Sequence, residues 1–194
     1  MEDAYIADEE NKILYQILSS LQFTERSEDV TMKPFIIPGY EIFDTAEGDL
    51  NNDGLVDKIL VLSFSNNNEE IGVEYAGDYP FLILLGSKEG KLTLAGRNDN
   101  LVLCSGCGGM FPDPYEGTFI GKGLFTVSHY GGSAWRWYTE HTFTYFPGKN
   151  NWYLTEAVLG SFHSIDGNEQ ETKKTQGDFG WISFEEFNIE ESEY

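Results

Sequence analysis

The chain predicts a mainly β fold: antiparallel sheets, arranged as a sandwich or a propeller-blade-like meander, with one N-terminal α-helix. Two observations carry that expectation. Apolar or alternating runs of strand length recur between clusters of Gly, Asn, Asp and Ser, which is the pattern of half-buried strands joined by turns. The composition agrees, with 21 Gly for the turns and 14 Phe, 11 Tyr and 4 Trp to fill pleated surfaces. A length of 194 residues suits a single domain, 1–194, and 40% hydrophobic content is enough for a core.

The helix is placed at about 8–23. Ile13, Leu14, Ile17, Leu18 and Leu21 fall on one face at a 3.6-residue period, and Asp8 stands at the N-cap. Phe35-Ile36-Ile37-Pro38 follows as an edge strand or strand end, because proline cannot donate to a ladder. Tyr40 to Thr45 leads into an Asx-rich loop, and the apolar run that begins at Lys58 predicts a buried strand over 58–64. Asn66 to Glu70 reads as a hairpin-like loop. Strands are expected near 71–75, 80–86 and 91–95, the last two joined by the tight turn Ser87-Lys88-Glu89-Gly90.

Gly-rich residues 104–117 interrupt the meander. A short strand at 118–120 precedes a long pair, Leu124 to Tyr130 and Trp135 to Phe146, linked by Gly131-Gly132-Ser133. Trp152 to Phe162 supplies another strand. Gly167 to Thr175 reads as a polar tail, and Gly180 to Phe187 returns to the core before an acidic C-terminus.

The most specific spacing lies in Asp49-Leu50-Asn51-Asn52-Asp53-Gly54-Leu55-Val56-Asp57. A hard cation such as Ca²⁺ takes six to eight oxygens, and Asp49, Asn51, Asp53 and Asp57 stand at positions one, three, five and nine of a calcium loop. Gly54 occupies position six, where the chain turns sharply, and the carbonyl of Leu55 falls at position seven. The twelfth position, a bidentate Glu in an EF-hand, is Leu60, inside a strand. A loop of this kind running into a strand resembles the calcium loops of FG-GAP and VCBS-type repeats. The resemblance covers Gly48 to Leu60 and implies ligand roles for Asp49, Asn51, Asp53 and Asp57 within a β unit. The competing reading is a solvated Asx turn that binds nothing. No second copy of the loop occurs, since Asp166-Gly167-Asn168 lacks the other ligands, and this argues against a full propeller.

The formal charge is −21, from 33 acidic and 12 basic residues. That field repels phosphate backbones and attracts cations or basic protein surfaces, so nucleic acid is not the expected partner. No apolar stretch approaches bilayer-spanning length. Met1-Glu2-Asp3 is acidic and no apolar leader follows it. The protein is therefore cytoplasmic, or it is the mature form of an exported chain. The calcium loop favours export to the periplasm or beyond, because the missing bidentate Glu suits weak binding where Ca²⁺ is abundant.

Cys104-Ser105-Gly106-Cys107 is the only cysteine pair. A zinc site needs two further ligands, and His129, His141 and His163 lack metal-ligand spacing. A redox motif would open a helix, which Gly106, Gly108 and Gly109 disfavour. A structural disulfide of an exported protein is the expectation, with free thiols the alternative.

On the long strand, Trp135, Trp137, Thr139, His141 and Phe143 fall on one face, and Arg136, Tyr138, Glu140 and Thr142 on the other. With His129 and Tyr130, these residues form a candidate ligand platform, with Trp rings for sugars and Arg136 for a carboxylate. Cross-strand packing is the commoner use of such a ladder. These segments are loosely similar to uncharacterised bacterial secreted or lipoprotein-type proteins, and the size, acidity and calcium loop are similar to those of some periplasmic immunity proteins. Neither a triad of His129 with Ser128 or Ser133 and Asp113, nor a Glu116–Glu140 carboxylate pair, is required by any spacing. The sequence thus points to a calcium-stabilised, non-catalytic domain that binds a basic protein and is immunity- or inhibitor-like. The alternative is a carbohydrate-binding or glycan-processing module using Tyr130, Trp135, Trp137 and Tyr138.

Overall fold

The computed structural model describes residues 31–65, 79–111, 113–165 and 167–192. The helix expected at about 8–23, the loop at 66–70 and the strand at 71–75 lie outside the described residues. The chain divides into two compact units, Met1–Ile36 and Ile37–Tyr194.

In the first unit, Lys33–Phe35 forms a 3₁₀ turn with a proline in its opening positions. The expected strand at 35–38 is therefore corrected. Pro34 and Pro38 remove two backbone donors within five residues, and a ladder cannot run through them.

In the second unit, the strands within each of two sheets pair with their neighbours in sequence. β1 (Tyr40–Gly48), β2 (Asp57–Phe64), β3 (Phe81–Gly86) and β4 (Leu92–Asn98) form a four-stranded antiparallel sheet in that order. β5 (Tyr115–Gly121), β6 (Leu124–Gly132), β7 (Trp135–Phe146), β8 (Asn151–His163) and β9 (Glu169–Thr175) form a five-stranded one. Two meanders pack face to face. Ile59, Val61, Phe81 and Ile83 of the first sheet share a core with Phe125, Val127, Phe143 and Leu154 of the second. The Phe81 and Phe125 rings stack at 5.5 Å across the interface. Each such side chain contributes about 1.5–3 kcal/mol by leaving water. Leu60, Leu62, Leu82 and Leu84 are buried as well, so β2 and β3 are covered on both faces, as their continuous apolar runs require.

The C-terminal segment completes this core. A helical turn, Gln176–Phe179, starts with a capping box in which Thr175 N–H donates to Asp178 Oδ2 at 2.8 Å. The chain then bonds to β8, with Leu154 N–H donating to the Ile182 carbonyl and Phe184 N–H to that of Trp152, both at 2.9 Å. Phe184 meets Phe81, Phe125 and Phe143 at 5.7, 5.8 and 6.0 Å between ring centroids. Buried Asn98 fixes the segment by donating to the carbonyls of Phe184 and Phe187 while accepting from Asn100 N–H.

Two sequence boundaries need correction. The polar tail at 167–175 contains β9, whose residues are exposed but pair in register with β8 from Glu156↔Thr175 to Phe162↔Glu169. An edge strand with both faces in solvent has no apolar alternation to announce it. The strand expected at 118–120 extends over Tyr115–Gly121, past a register shift at Tyr115/Gly117. Among the described residues, no helix is long and apolar enough to cross a membrane.

Candidate functional site

The Asx loop joins β1 to β2 at one end of the sandwich. Asn52 and Gly54 both take positive φ, 67° and 83°, which folds the loop back on itself. Its side-chain oxygens then turn onto its own backbone. Asp53 N–H lies 3.0 Å from both Asp49 Oδ1 and Asn51 Oδ1. Gly54 N–H donates to Asp49 Oδ2 at 3.1 Å and Leu55 N–H to Asp53 Oδ1 at 2.8 Å. Among the described residues, no three His, Cys, Asp or Glu side chains stand gathered as a metal-ligating group.

Asp57 differs from the rest of the loop. It is fully buried, and its carboxylate accepts from Leu50 N–H at 2.8 Å and Gly86 N–H at 2.9 Å, tying the loop to the end of β3. Burial raises its pKa, the two backbone donors oppose this, and the charges of Asp53 and Asp49 add to the rise. The loop is anchored further by Trp152, whose Nε1 donates to the Leu50 carbonyl at 2.8 Å, and by Gly123 N–H on the Asp49 carbonyl at 2.8 Å.

The loop's donors are oxygens, the ligand type that a calcium ion takes. Asp49, Asn51 and Asp53 present oxygens around one backbone turn, and the charges of Asp53 and Asp49 disfavour that of Asp57. Each carboxylate oxygen bonded to one N–H keeps further lone-pair capacity. Asp49, Asn51, Asp53 and the Leu55 carbonyl would hold the ion. Asp57 serves first as the staple between loop and sheet.

The aromatic ladder lies toward the opposite end of β6 and β7. Cys104 and Cys107 are joined by a disulfide, with Cα atoms 5.3 Å apart. The loop behind it is bonded to the β6–β7 hairpin, with Gly132 N–H donating to the Gly108 carbonyl at 2.9 Å and Met110 N–H to that of Gly132 at 3.1 Å. Trp137 packs over Gly131 and Tyr138 over Gly160, each opposite it in register. A side chain at either glycine would collide with the ring. Arg136 stacks its guanidinium 4.3 Å from the centre of the Phe111 ring, and Tyr130 meets Phe111 at 5.6 Å. Trp135 stands edge-on to His163 at 5.0 Å and is 56% exposed. The five platform candidates are thus divided. Trp137 covers backbone, Arg136 and Tyr130 join Phe111, Trp135 faces solvent and His129 is buried.

His129 and His141 lie inside the sandwich, each 1% exposed. Burial lowers the pKa of His129 to about 4, and burial together with the charge of His129 lowers that of His141 to about 3. Asp113 takes the Tyr79 hydroxyl on one oxygen at 2.6 Å and Tyr115 N–H on the other at 3.1 Å. Its partners are therefore not those of a catalytic triad. Burial and the neighbouring Asp113 push the Tyr79 hydroxyl up, and burial and Asp44 do the same for Tyr115, which donates to Asp44 at 2.9 Å. This tyrosine–aspartate network closes the two sheets along β1 and β5. Sequence reading missed it, because its members stand 34 and 71 residues apart and no local period joins them. A cavity of about 550 Å³ lies beside the C-terminal segment, lined in part by Asp178, Trp181, Glu186 and Glu191.

No family model, curated protein or solved structure matches this chain.

Proposed function

We propose that this protein is a non-catalytic binding domain of an exported bacterial protein, stabilised by Ca²⁺ and directed at a basic protein partner in the manner of an immunity protein or inhibitor. The observation that carries the reading is the Asx loop, in which Asp49, Asn51 and Asp53 direct their oxygens around a single turn. Bound Ca²⁺ supplies positive charge where the carboxylates repel each other, and so rigidifies the entry to β2. The Cys104–Cys107 disulfide supports an oxidising compartment. The net charge of −21 supports a basic partner, whose association the field would accelerate.

The test is capture of proteins from a lysate at low and at raised salt, with Ca²⁺ present throughout. Selective retention of a basic protein, weakening as salt rises, supports the reading. Retention that is indifferent to salt contradicts it. The exposure of Trp135 favours a second reading, a glycan-binding surface at the aromatic end. Quenching of tryptophan fluorescence by oligosaccharides, lost in Trp135→Ala, would favour that alternative.

A further inference from the structure

The segment between β4 and β5 is the covalent crossover between the two sheets, and it carries the disulfide. One of its ties to the second sheet is a hydrogen bond from Leu103 N–H to Nε2 of His129, at 3.3 Å. An imidazole nitrogen accepts only while it lacks a proton, so the neutral ring must carry its hydrogen on Nδ1. That nitrogen is buried and has no hydrogen-bond partner among the described residues. Thr139, opposite His129 in register on β7, has a buried Oγ1 in the same condition. His129 therefore bonds the crossover through one atom, and that atom is the one a second proton would occupy.

We infer that His129 is an acid-sensitive latch on this crossover: a proton on Nε2 turns an acceptor into a donor facing the Leu103 N–H, and the chain at Leu103 is released from β6, while Gly108 and Met110 stay bonded to Gly132.

The surroundings contain little to oppose that response. From β5, the Tyr115 ring stands edge-on to the imidazole at 6.1 Å, with its hydroxyl committed to Asp44 and Thr118 and its N–H to Asp113. From β7 comes His141, whose own protonation would add a like charge. Neither ring nitrogen of His129 bonds a carboxylate among the described residues, so no anion is in place to hold an imidazolium. The sign follows. The pKa is about 4 with the latch closed, against an ordinary 6.5, so the open form takes up the proton first as pH falls. Between pH 7 and pH 5 the closed form should lose roughly twentyfold in its population ratio to the open form. The latch is independent of the calcium reading, since it uses none of the loop residues.

Amide hydrogen exchange at Leu103 and its neighbours Val102 and Cys104 in the full chain tests it, with the disulfide intact and rates referenced at each pH to the same residues in a free peptide. The expected result is a protection factor that falls roughly twentyfold from pH 7 to pH 5 in the wild type and stays level in His129→Gln, which can still accept from Leu103 but does not titrate. An equal fall in the variant, or none in the wild type, overturns the inference. If the variant does not fold, nitrogen NMR of the wild-type imidazole decides. A neutral Nδ1–H tautomer titrating well below 6.5 supports the latch, and an Nε2–H tautomer or ordinary titration overturns it.

Discussion

The two ends of the sandwich use side chains in opposite ways. At the Asx end the polar groups bond to backbone within a few residues of themselves: Asp49 to the N–H groups of Asp53 and Gly54, and Asp53 to that of Leu55. At the aromatic end the rings serve partners distant in sequence, with Tyr138 over Gly160 and Arg136 over Phe111. A local constellation can therefore be read as chemistry from spacing alone. A ladder of aromatic residues cannot, because its meaning depends on what stands opposite each ring.

The sharpest way to break this comparison is at Asp57, the one loop carboxylate that reaches across to another strand. Asp57→Ala leaves the N–H groups of Leu50 and Gly86 without their acceptor in a buried site. It should cost about 4 kcal/mol in denaturant unfolding measured without Ca²⁺. If Asp57 were a free ligand like its neighbours, Asp57→Ala and Asp53→Ala would cost alike in chelator.

Next in size is the core between the two ends. His141 has a depressed pKa, so the unfolded chain takes up its proton first and stability falls as pH drops below 6.5 toward 3. The difference in unfolding free energy between wild type and His141→Phe should therefore shrink or change in the variant's favour by about 3 kcal/mol from pH 7 to pH 4.5. Comparing the two proteins removes the opposite effect of neutralising the acidic surface, which both share. A difference that does not vary with pH would place a solvated ring with an ordinary pKa at this position.

At the aromatic end, Gly160→Ala should destabilise by about 2 kcal/mol, because the new Cβ meets the Tyr138 ring. In a Tyr138→Ala background the same change should be nearly neutral. A double-mutant cycle checks this, and additive costs would mean that the ring does not depend on its glycine.

Much of the β architecture was legible because Ile59 to Leu62 and Phe81 to Leu85 are apolar without interruption and Trp135 to Phe146 is rich in aromatic residues and threonine between turn signals. The bounds of β7 coincide with that run. β9 was not legible: Glu169 to Thr175 has no buried face, and only its pairing with β8 makes it a strand. The loop spacing was readable, since its hydrogen bonds mostly span two to five residues. The double role of Asp57 was not, because Gly86 stands 29 residues away. The Tyr79–Asp113 and Tyr115–Asp44 contacts escaped for the same reason.

The central claim is that the Asx loop binds Ca²⁺, and thermal unfolding at fixed ionic strength tests it most directly, with excess Ca²⁺ and then with chelator. The account predicts a Tm that rises with Ca²⁺ concentration in the wild type and does not respond in Asp53→Ala, since a ligand bound only by the folded state stabilises it by mass action. A wild-type Tm that is the same in Ca²⁺ and in chelator would contradict the account and leave the loop as a turn held by its own hydrogen bonds.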